Sequence, residues 1–526
     1  MSPLPDPPLT PPGESGLPAA RSSARAAWLM AGCYGLWLVV WSMATPLFSG
    51  ADEWAHYLRA LGIREGRLIG DRVPEDYSFP DFTPAQQAFL RQTSRFIDAP
   101  AGMAPQGYGC NAFQSDQSAG CVNQAGAYPE ARREVTVTGA YPPAFYLFPA
   151  VAMLPASSPA SALRLARLAN LLACVLLLGL ALRALAETPW PAPALTAFAV
   201  ALPPMGLGTM AALSPSGPEI ASGLTFAAGL YRLASRQGGG PWAWAACLVG
   251  GVALCLARAL GVAWVVLLWV SFLVLLGRAG LVQLARRQRP QVLLGGGLLL
   301  GALLLSRLWE GSQGARVSVT LLPGVKAWRE AFKHYPVWLR EQVGVFQYLD
   351  TELPPWAYPA WGVLVAALVV WRWPRLSPGW RWRAGVLAVG ILAVPLGLYA
   401  MLVRNSEFWL QGRYVLPLTC ALPLLFGAGA PLPEREGPER GQRLLVLLAG
   451  GAGLIQAVAW YSNARRSAVG SEGPWYFFPS AEWQPPLGWA VWCALALVCA
   501  VALPLCVWLA GRTEWPPPRE PPARAG

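Results

Sequence analysis

The chain alternates long apolar runs with short polar connectors, and the runs have the length of membrane spans. Crossing a hydrocarbon core of about 30 Å as a helix takes roughly 17–25 predominantly apolar residues. Runs that meet or approach that length cover Trp28–Phe48, Ala144–Leu154, Ser161–Leu185, Ile220–Ala234, Trp242–Ala257 and Leu260–Leu276. Six more cover Val292–Leu308, Trp356–Trp373, Ala384–Val403, Tyr414–Gly429, Leu444–Tyr461 and Leu487–Leu509. A further apolar stretch, Pro191–Ala212, is interrupted by Pro203-Pro204. It is expected as a re-entrant or broken helix lining a protein-buried cavity. The pattern therefore predicts an all-α polytopic integral membrane protein with twelve spans and that broken segment.

The polar segments set its orientation. Residues 1–26 are proline-rich and poor in apolar side chains, which predicts a disordered cytoplasmic tail; residues 512–526 form a second one. Arg21 and Arg25 precede the first span and place the N-terminus inside, so both termini of the 27–511 bundle are expected in the cytoplasm. Residues 48–140 then form a large first periplasmic loop, and residues 309–355 a second outer loop. Within the first, Pro84–Phe96 is expected as a short amphipathic helix on the membrane surface. With Pro191–Ala212 counted as re-entrant, Arg278, Arg286, Arg287 and Arg289 also fall inside.

Composition sharpens this picture. Of 526 residues, 55% are hydrophobic and 13% charged, about half the charge of a soluble protein. The net charge of +12 sits in the short connectors, and no basic surface interleaved with aromatics emerges, so no nucleic-acid partner is expected. Lys326 and Lys333 are the only lysines. Eight of the ten cysteines lie in or beside spans as small buried residues. Cys110 and Cys121 lie in the large polar loop and are the plausible disulfide if that loop faces an oxidising compartment. The chain carries no phosphate-binding Walker loop, no dinucleotide fingerprint and no nucleophile elbow in a strand–helix context, which argues against cytosolic-nucleotide chemistry.

The candidate chemistry sits at span mouths on the outer side. Immediately after the first span the chain reads Gly50-Ala-Asp52-Glu53-Trp54-Ala-His56-Tyr-Leu-Arg59-Ala60. On a helix Asp52, His56 and Arg59 share one face, with Glu53 on its flank. Acids at a bilayer boundary carry a desolvation cost unless a cation, partner or substrate offsets it, and their raised pKa would suit proton abstraction. The bland alternative is a solvated cap after a span. Gln411-Gly412-Arg413-Tyr414 opens a later span from the same side, where an arginine after glycine can approach a phosphate and grip it with two parallel hydrogen bonds. An arginine snorkelling to headgroups would look the same. Asp350, in Leu349-Asp-Thr-Glu352-Leu-Pro-Pro355, is a further candidate acid, though turn chemistry also accounts for it, and His334 reads as a surface residue.

Taken in order, these motifs resemble a family. Asp52-Glu53-x-x-His56-x-x-Arg59, Tyr141-Pro142-Pro143-x-x-Tyr146, Arg164-Leu-x-Arg167-x-x-Asn170, Leu349-Asp350-Thr-x-Leu-Pro and Gln411-Gly412-Arg413-Tyr414-x-x-Pro417 form an ordered set. That set resembles the bacterial polytopic family called domain of unknown function 2142, across residues 28–510. The family in turn resembles the GT-C class of membrane glycosyltransferases. One departure is visible: where relatives often carry an acid directly after Ser-Pro or Ser-Ala in the second outer region, this chain reads Ser214-Pro-Ser-Gly-Pro-Glu219.

The resemblance implies a GT-C-like bundle in the bacterial plasma membrane that moves a sugar from a polyprenyl-phosphate donor to a cell-envelope glycan, lipid or protein acceptor. Asp52 or Glu53 would take the acceptor proton, with His56 sharing or orienting that role. Both acids could also hold a divalent metal, Mg or Mn. Arg59 and Arg413 would hold the donor phosphate, with Tyr141, Tyr146, Asp350, Gln411 and Tyr414 completing the substrate site. Two rival readings use the same groups: a transporter or flippase of a lipid-linked glycan, and a non-catalytic envelope-assembly subunit.

Overall fold

The computed structural model describes residues 17–188, 191–235, 240–314, 323–408, 410–429 and 438–512. The expected tails therefore lie largely outside the described residues, although the first helix already begins at Leu17. Helices dominate. The first half contains α1 (Leu17–Ala44), α2 (Glu53–Arg64), α3 (Pro84–Thr93), α4 (Ala144–Ala152), α5 (Pro159–Leu185), α6 (Pro191–Ala201), α7 (Pro204–Ala211), α8 (Ser216–Ala234) and α9 (Pro241–Ala257). The second half contains α10 (Ala259–Arg287), α11 (Arg289–Gln313), α12 (Gly324–Gly344), α13 (Ala357–Arg372) and α14 (Pro378–Ser406). A 3-10 turn, Gly412–Val415, then leads into α15 (Leu416–Thr419) and α16 (Ala421–Gly427), followed by α17 (Pro438–Val469) and α18 (Gly488–Gly511).

Among the described residues, seven helices are long and apolar enough to cross a membrane, and the bent pair α6–α7 makes an eighth if it counts as one span. The others expected as spans are shorter or more polar. The expectation fails most clearly at Ala144–Leu154. Its helix α4 has nine residues, and both its ends stay at the loop end of the bundle. Arg64 of α2 donates to the carbonyl of Ala156 just beyond α4 (3.0 Å), immediately before α5 starts.

The Pro191–Ala212 stretch breaks where its paired prolines stand, with α6 and α7 bent by 70°. It nevertheless travels the length of the bundle. Its start follows the far end of α5, where the Glu187 carbonyl accepts from Arg232 at the end of α8 (2.6 Å). Its finish reaches the loop end, where Leu213 N–H donates to Glu53 (2.8 Å). So α4 stays at one end of the bundle, whereas the broken pair runs from one end to the other. The two changes cancel in parity, and Arg286, Arg287 and Arg289, at the α10–α11 turn, still lie at the end of the bundle away from α2. Small residues let neighbouring helices approach closely. A Cβ on Gly229 of α8 would stand 2.5 Å from the backbone nitrogen of Cys247 in α9.

The 48–140 segment is not helical throughout. It contains strands β1 (Asp71–Arg72), β2 (Arg95–Ala99), β3 (Pro105–Gln106), β4 (Gly126–Ala127) and β5 (Arg132–Thr136), of which β1, β2 and β5 form one antiparallel sheet. The helix expected over Pro84–Phe96 is α3, started by a Thr83–Gln86 capping box with Pro84 in its first turn, and ended before β2. Cys110 and Cys121 are disulfide-bonded, with Cα atoms 6.3 Å apart. The stapled segment docks on the end of α17, where Ala119 N–H donates to Ser467 O (2.9 Å).

Candidate active site

The site is built where α1 gives way to α2. Asp52, just ahead of α2, has left-handed backbone (φ 60°, ψ 10°), a conformation that aspartate tolerates better than most residues and that still stores strain. The two neighbouring acids leave this turn toward different partners.

Glu53 goes inward. Its side chain is 0% exposed, and Arg167 of α5 grips it with two parallel bonds, Nε to Oε1 (2.8 Å) and Nη2 to Oε2 (2.6 Å). The backbone N–H groups of Leu213 (2.8 Å) and Gly50 (3.4 Å) also donate to it. Arg167 spends its remaining hydrogens on the carbonyls of Ser42, Thr45 and Pro46 at the end of α1. Asn170, one turn further along α5, donates to the carbonyls of Met210 (3.1 Å) and Ala212 (2.8 Å) and so fixes the end of α7. The expected second base is therefore a structural clamp joining α1, α2, α5 and the end of α7, because every lone pair it could offer to chemistry already has a buried donor.

Asp52 goes to Arg413. Arg413 Nη2 donates to Asp52 Oδ2, and the Asp52 side chain keeps 43% of its surface open while Arg413 is buried. Burial by itself would raise the Asp52 pKa; Arg413 and, further off, Arg258 outweigh it and hold the carboxyl below its ordinary value. The raised pKa expected for a boundary acid is thus not found in the ligand-free state, because a cation stands against the carboxylate.

Arg258, between α9 and α10, extends the cluster. It donates to Ser216 Oγ (2.8 Å) and Tyr141 OH (3.3 Å) and lies 3.6 Å from Glu219. Its guanidinium carbon is 4.3 Å from the centre of the Tyr414 ring, and that of Arg413 is 5.1 Å from the same ring. Two arginines thus share one tyrosine face-to-cation, a favourable arrangement where water is scarce. The displaced acid Glu219 is brought to this group through Arg258. Beside it lies a cavity whose walls include Gly50, Ala51, Ser214, Gln347, Asn463 and Arg413.

The other expected residues divide. His56 is buried, 2.8 Å from Tyr146 OH through Nδ1 and 3.3 Å from Ser214 Oγ through Nε2. Burial pushes its pKa down to about 3, so the ring is neutral at ordinary pH. Arg59 does not face the charge cluster: it is fully buried and donates to the carbonyls of Leu68 (2.7 Å) and Tyr141 (3.0 Å), tying the first loop to α2. Asp350 is held by Arg466 of α17 (3.0 Å). Gln411 precedes the Arg413 turn and lacks a hydrogen-bond partner at Oε1. Sequence reasoning gave no role to Arg167 or Arg258 and passed over Glu341, whose carboxylate accepts from Gly412 N–H (2.6 Å). For Arg167 a signal existed: an arginine inside an otherwise apolar helix must face a partner within the protein.

Residues 35–422 match the family model described as "Predicted membrane protein (DUF2142)". The chain belongs to that family. No curated protein matches the sequence. Among solved structures it is similar to that of ArnT from Cupriavidus metallidurans bound to undecaprenyl phosphate. The two are 16% identical over 93% of this chain and 77% of that one, with a TM-score of 0.41.

The acids of this family member do not fit the divalent metal considered for them. Among the described residues no three His, Cys, Asp or Glu side chains converge. Glu53 has its oxygens taken by Arg167, and Asp52 faces two arginines, a charge environment that repels a cation rather than holding it.

Proposed function

We propose that this family member is a membrane glycosyltransferase that moves a sugar from a polyprenyl-phosphate donor to a hydroxyl of a cell-envelope acceptor. One observation carries the proposal: an open carboxylate, Asp52, paired with a buried arginine, Arg413, with Arg258 behind it, at one end of an apolar helical bundle. A donor whose tail stays in lipid presents its phosphate at such a span mouth, and arginine suits that group because its fork matches two phosphate oxygens.

In the ligand-free protein Asp52 occupies Arg413. The donor phosphate competes for the same guanidinium. Once the carboxylate loses its cation, burial raises its pKa and it becomes the better base. The acceptor hydroxyl oxygen then attacks the anomeric carbon. The carbon–oxygen bond to phosphate breaks with its electron pair leaving on the phosphate, and the hydroxyl proton passes to Asp52. Arg413 and Arg258 stabilise the charge that grows on the departing phosphate. His56, neutral and fixed between Tyr146 and Ser214, serves as a positioning residue for the α2 face that carries Asp52. No step passes through a metal.

The test is reconstitution of the full chain in lipid nanodiscs with lipid-linked sugars extracted from envelope membranes. Release of polyprenyl phosphate with label appearing in an acceptor is expected from the native protein and not from Asp52→Asn. Movement of the intact lipid-linked sugar between leaflets without bond cleavage would overturn the transferase reading in favour of transport.

A further inference from the structure

The helix α12 occupies the second outer loop, a segment that the function above does not explain. Its 21 residues would span about 32 Å, yet it is not among the membrane-crossing helices. Its sequence, Gly-Val-Lys-Ala-Trp-Arg-Glu-Ala-Phe-Lys-His-Tyr-Pro-Val-Trp-Leu-Arg-Glu-Gln-Val-Gly, mixes apolar and basic residues in a fixed geometry.

Two faces of α12, about 110° apart around the helix, are apolar. On one, Ala327, Ala331 and Trp338 are buried in the protein. On the other, Val325 (76% exposed), Trp328 (47%), Phe332 (62%) and Leu339 form a stripe at helical spacing, and none of the four is buried. Basic side chains run along the edge of that stripe: Arg329 and Lys333 follow directly on Trp328 and Phe332, and Lys326 follows Val325. The only two lysines of the chain are both here. The acids of α12 do not offset this edge evenly. Glu341 accepts from the Gly412 backbone, and Glu330 lies 3.7 Å from His334 and 4.0 Å from Lys333.

A soluble surface would not keep a tryptophan and a phenylalanine side by side in water, ring centres 6.2 Å apart, with a row of cations beside them. An anionic lipid surface accommodates both. Apolar side chains enter the headgroup–acyl boundary, and ammonium and guanidinium groups meet lipid phosphates. We propose that α12 lies flat in the outer membrane–water interface, with Val325, Trp328, Phe332 and Leu339 in the acyl boundary and Lys326, Arg329 and Lys333 among anionic headgroups. The occupant of this face is lipid, not a second protein. The proposal is independent of the transferase reading, since it rests on no residue of the Asp52–Arg413 site.

Two measurements on the full chain in proteoliposomes decide it. Nitroxide labels placed singly at positions 328, 332, 329 and 333 are compared for relaxation by oxygen, which concentrates in lipid, and by a water-soluble nickel chelate. Labels at 328 and 332 should favour oxygen and those at 329 and 333 the chelate. The preference of the protein for phosphatidylglycerol over phosphatidylcholine, read by retained lipid, should fall by about fivefold per charge in a Lys326→Gln, Arg329→Gln, Lys333→Gln series. A chelate preference at 328 and 332 would mean that the stripe faces water. Immobile labels reached by neither agent would mean that protein covers it. An unchanged lipid preference in the triple variant would remove the headgroup contact. Each of those outcomes overturns the proposal.

Discussion

Arg413 and Asp52, 361 positions apart in the chain, form one ion pair in which the arginine is buried and the carboxylate keeps an open face. Beside it Glu53, the next residue, forms a second pair with Arg167 that is closed on all sides. Two adjacent acids therefore differ in what they are free to do. A carboxylate saturated by a bidentate arginine and two backbone N–H groups holds structure together; one held by a single cation on one flank can exchange that cation for a substrate.

The first prediction follows for Asp52. Replacing it by Asn keeps the shape and an oxygen that can accept from Arg413 but removes the counter-charge of a buried guanidinium, so the fold should lose about 1–3 kcal/mol. Transfer activity should fall by about 10²–10⁴-fold, the usual contribution of a general base. Melting temperature and turnover measured on the same preparation check both halves. A stable Asp52→Asn protein with native turnover would remove Asp52 from the chemistry.

For Glu53 the expectation is reversed. Glu53→Ala leaves the Arg167 guanidinium buried without its counter-charge, which should cost about 3–5 kcal/mol. The double variant Glu53→Ala, Arg167→Met should recover part of that loss, since neither charge is then stranded. Thermal unfolding of the single and double variants reads this. Equal instability in both would mean that the pair contributes little beyond the volume it fills.

The sequence made the membrane class legible because apolar run length answers directly to bilayer thickness. It also placed Asp52 and Arg413 at span mouths. It could not pair them, since nothing local to Gly50–Ala60 points to a turn 361 residues on. The misassignment of Ala144–Leu154 has a physical source. Pro142, Pro143 and Pro149 with interfacial aromatics make a short apolar helix, and apolarity alone does not say whether a nine-residue helix crosses or lies against α2. Arg59 misled for a related reason. Its position on the Asp52 face is what helical spacing gives, but the long side chain turns to loop carbonyls whose location depends on the whole 48–140 segment. The strands of that segment have two to five residues each and leave little periodic trace.

His56 makes stability depend on pH in a defined direction. Its pKa is pushed from 6.5 down to about 3 in the folded state, so between those values the unfolded chain binds a proton that the folded one does not. The stability that His56 contributes is present above pH 6.5 and is lost as pH falls toward 3, in total on the order of 5 kcal/mol. A His56→Gln variant should lose less stability than the native protein over that window. Melting curves at intervals from pH 7 to pH 4 test this, and parallel curves for the two proteins would show that the ring is not held neutral.

The turn that carries Arg413 supplies the last prediction. A Cβ on Gly412 would stand 2.6 Å from the carbonyl oxygen of Trp338 and 2.7 Å from the backbone nitrogen of Gln342. Both atoms belong to the backbone of α12 and cannot rotate aside. Gly412 also donates its N–H to Glu341 (2.6 Å), so any shift that admits a methyl group breaks this bond as well. Gly412→Ala should therefore destabilise by about 1–3 kcal/mol through overpacking and move the neighbouring Arg413 away from Asp52. Because a displaced guanidinium weakens donor capture before it weakens proton transfer, the Michaelis constant for the lipid donor should rise tenfold or more while turnover at saturating donor falls less. Glu341→Gln keeps an oxygen that can accept from Gly412 N–H and should show a smaller version of the same change. If Gly412→Ala instead lowers turnover at saturation and leaves the donor constant unchanged, Arg413 acts on the acceptor or on the chemical step rather than on the donor phosphate, and the order of events from phosphate capture to release of Asp52 would have to be abandoned.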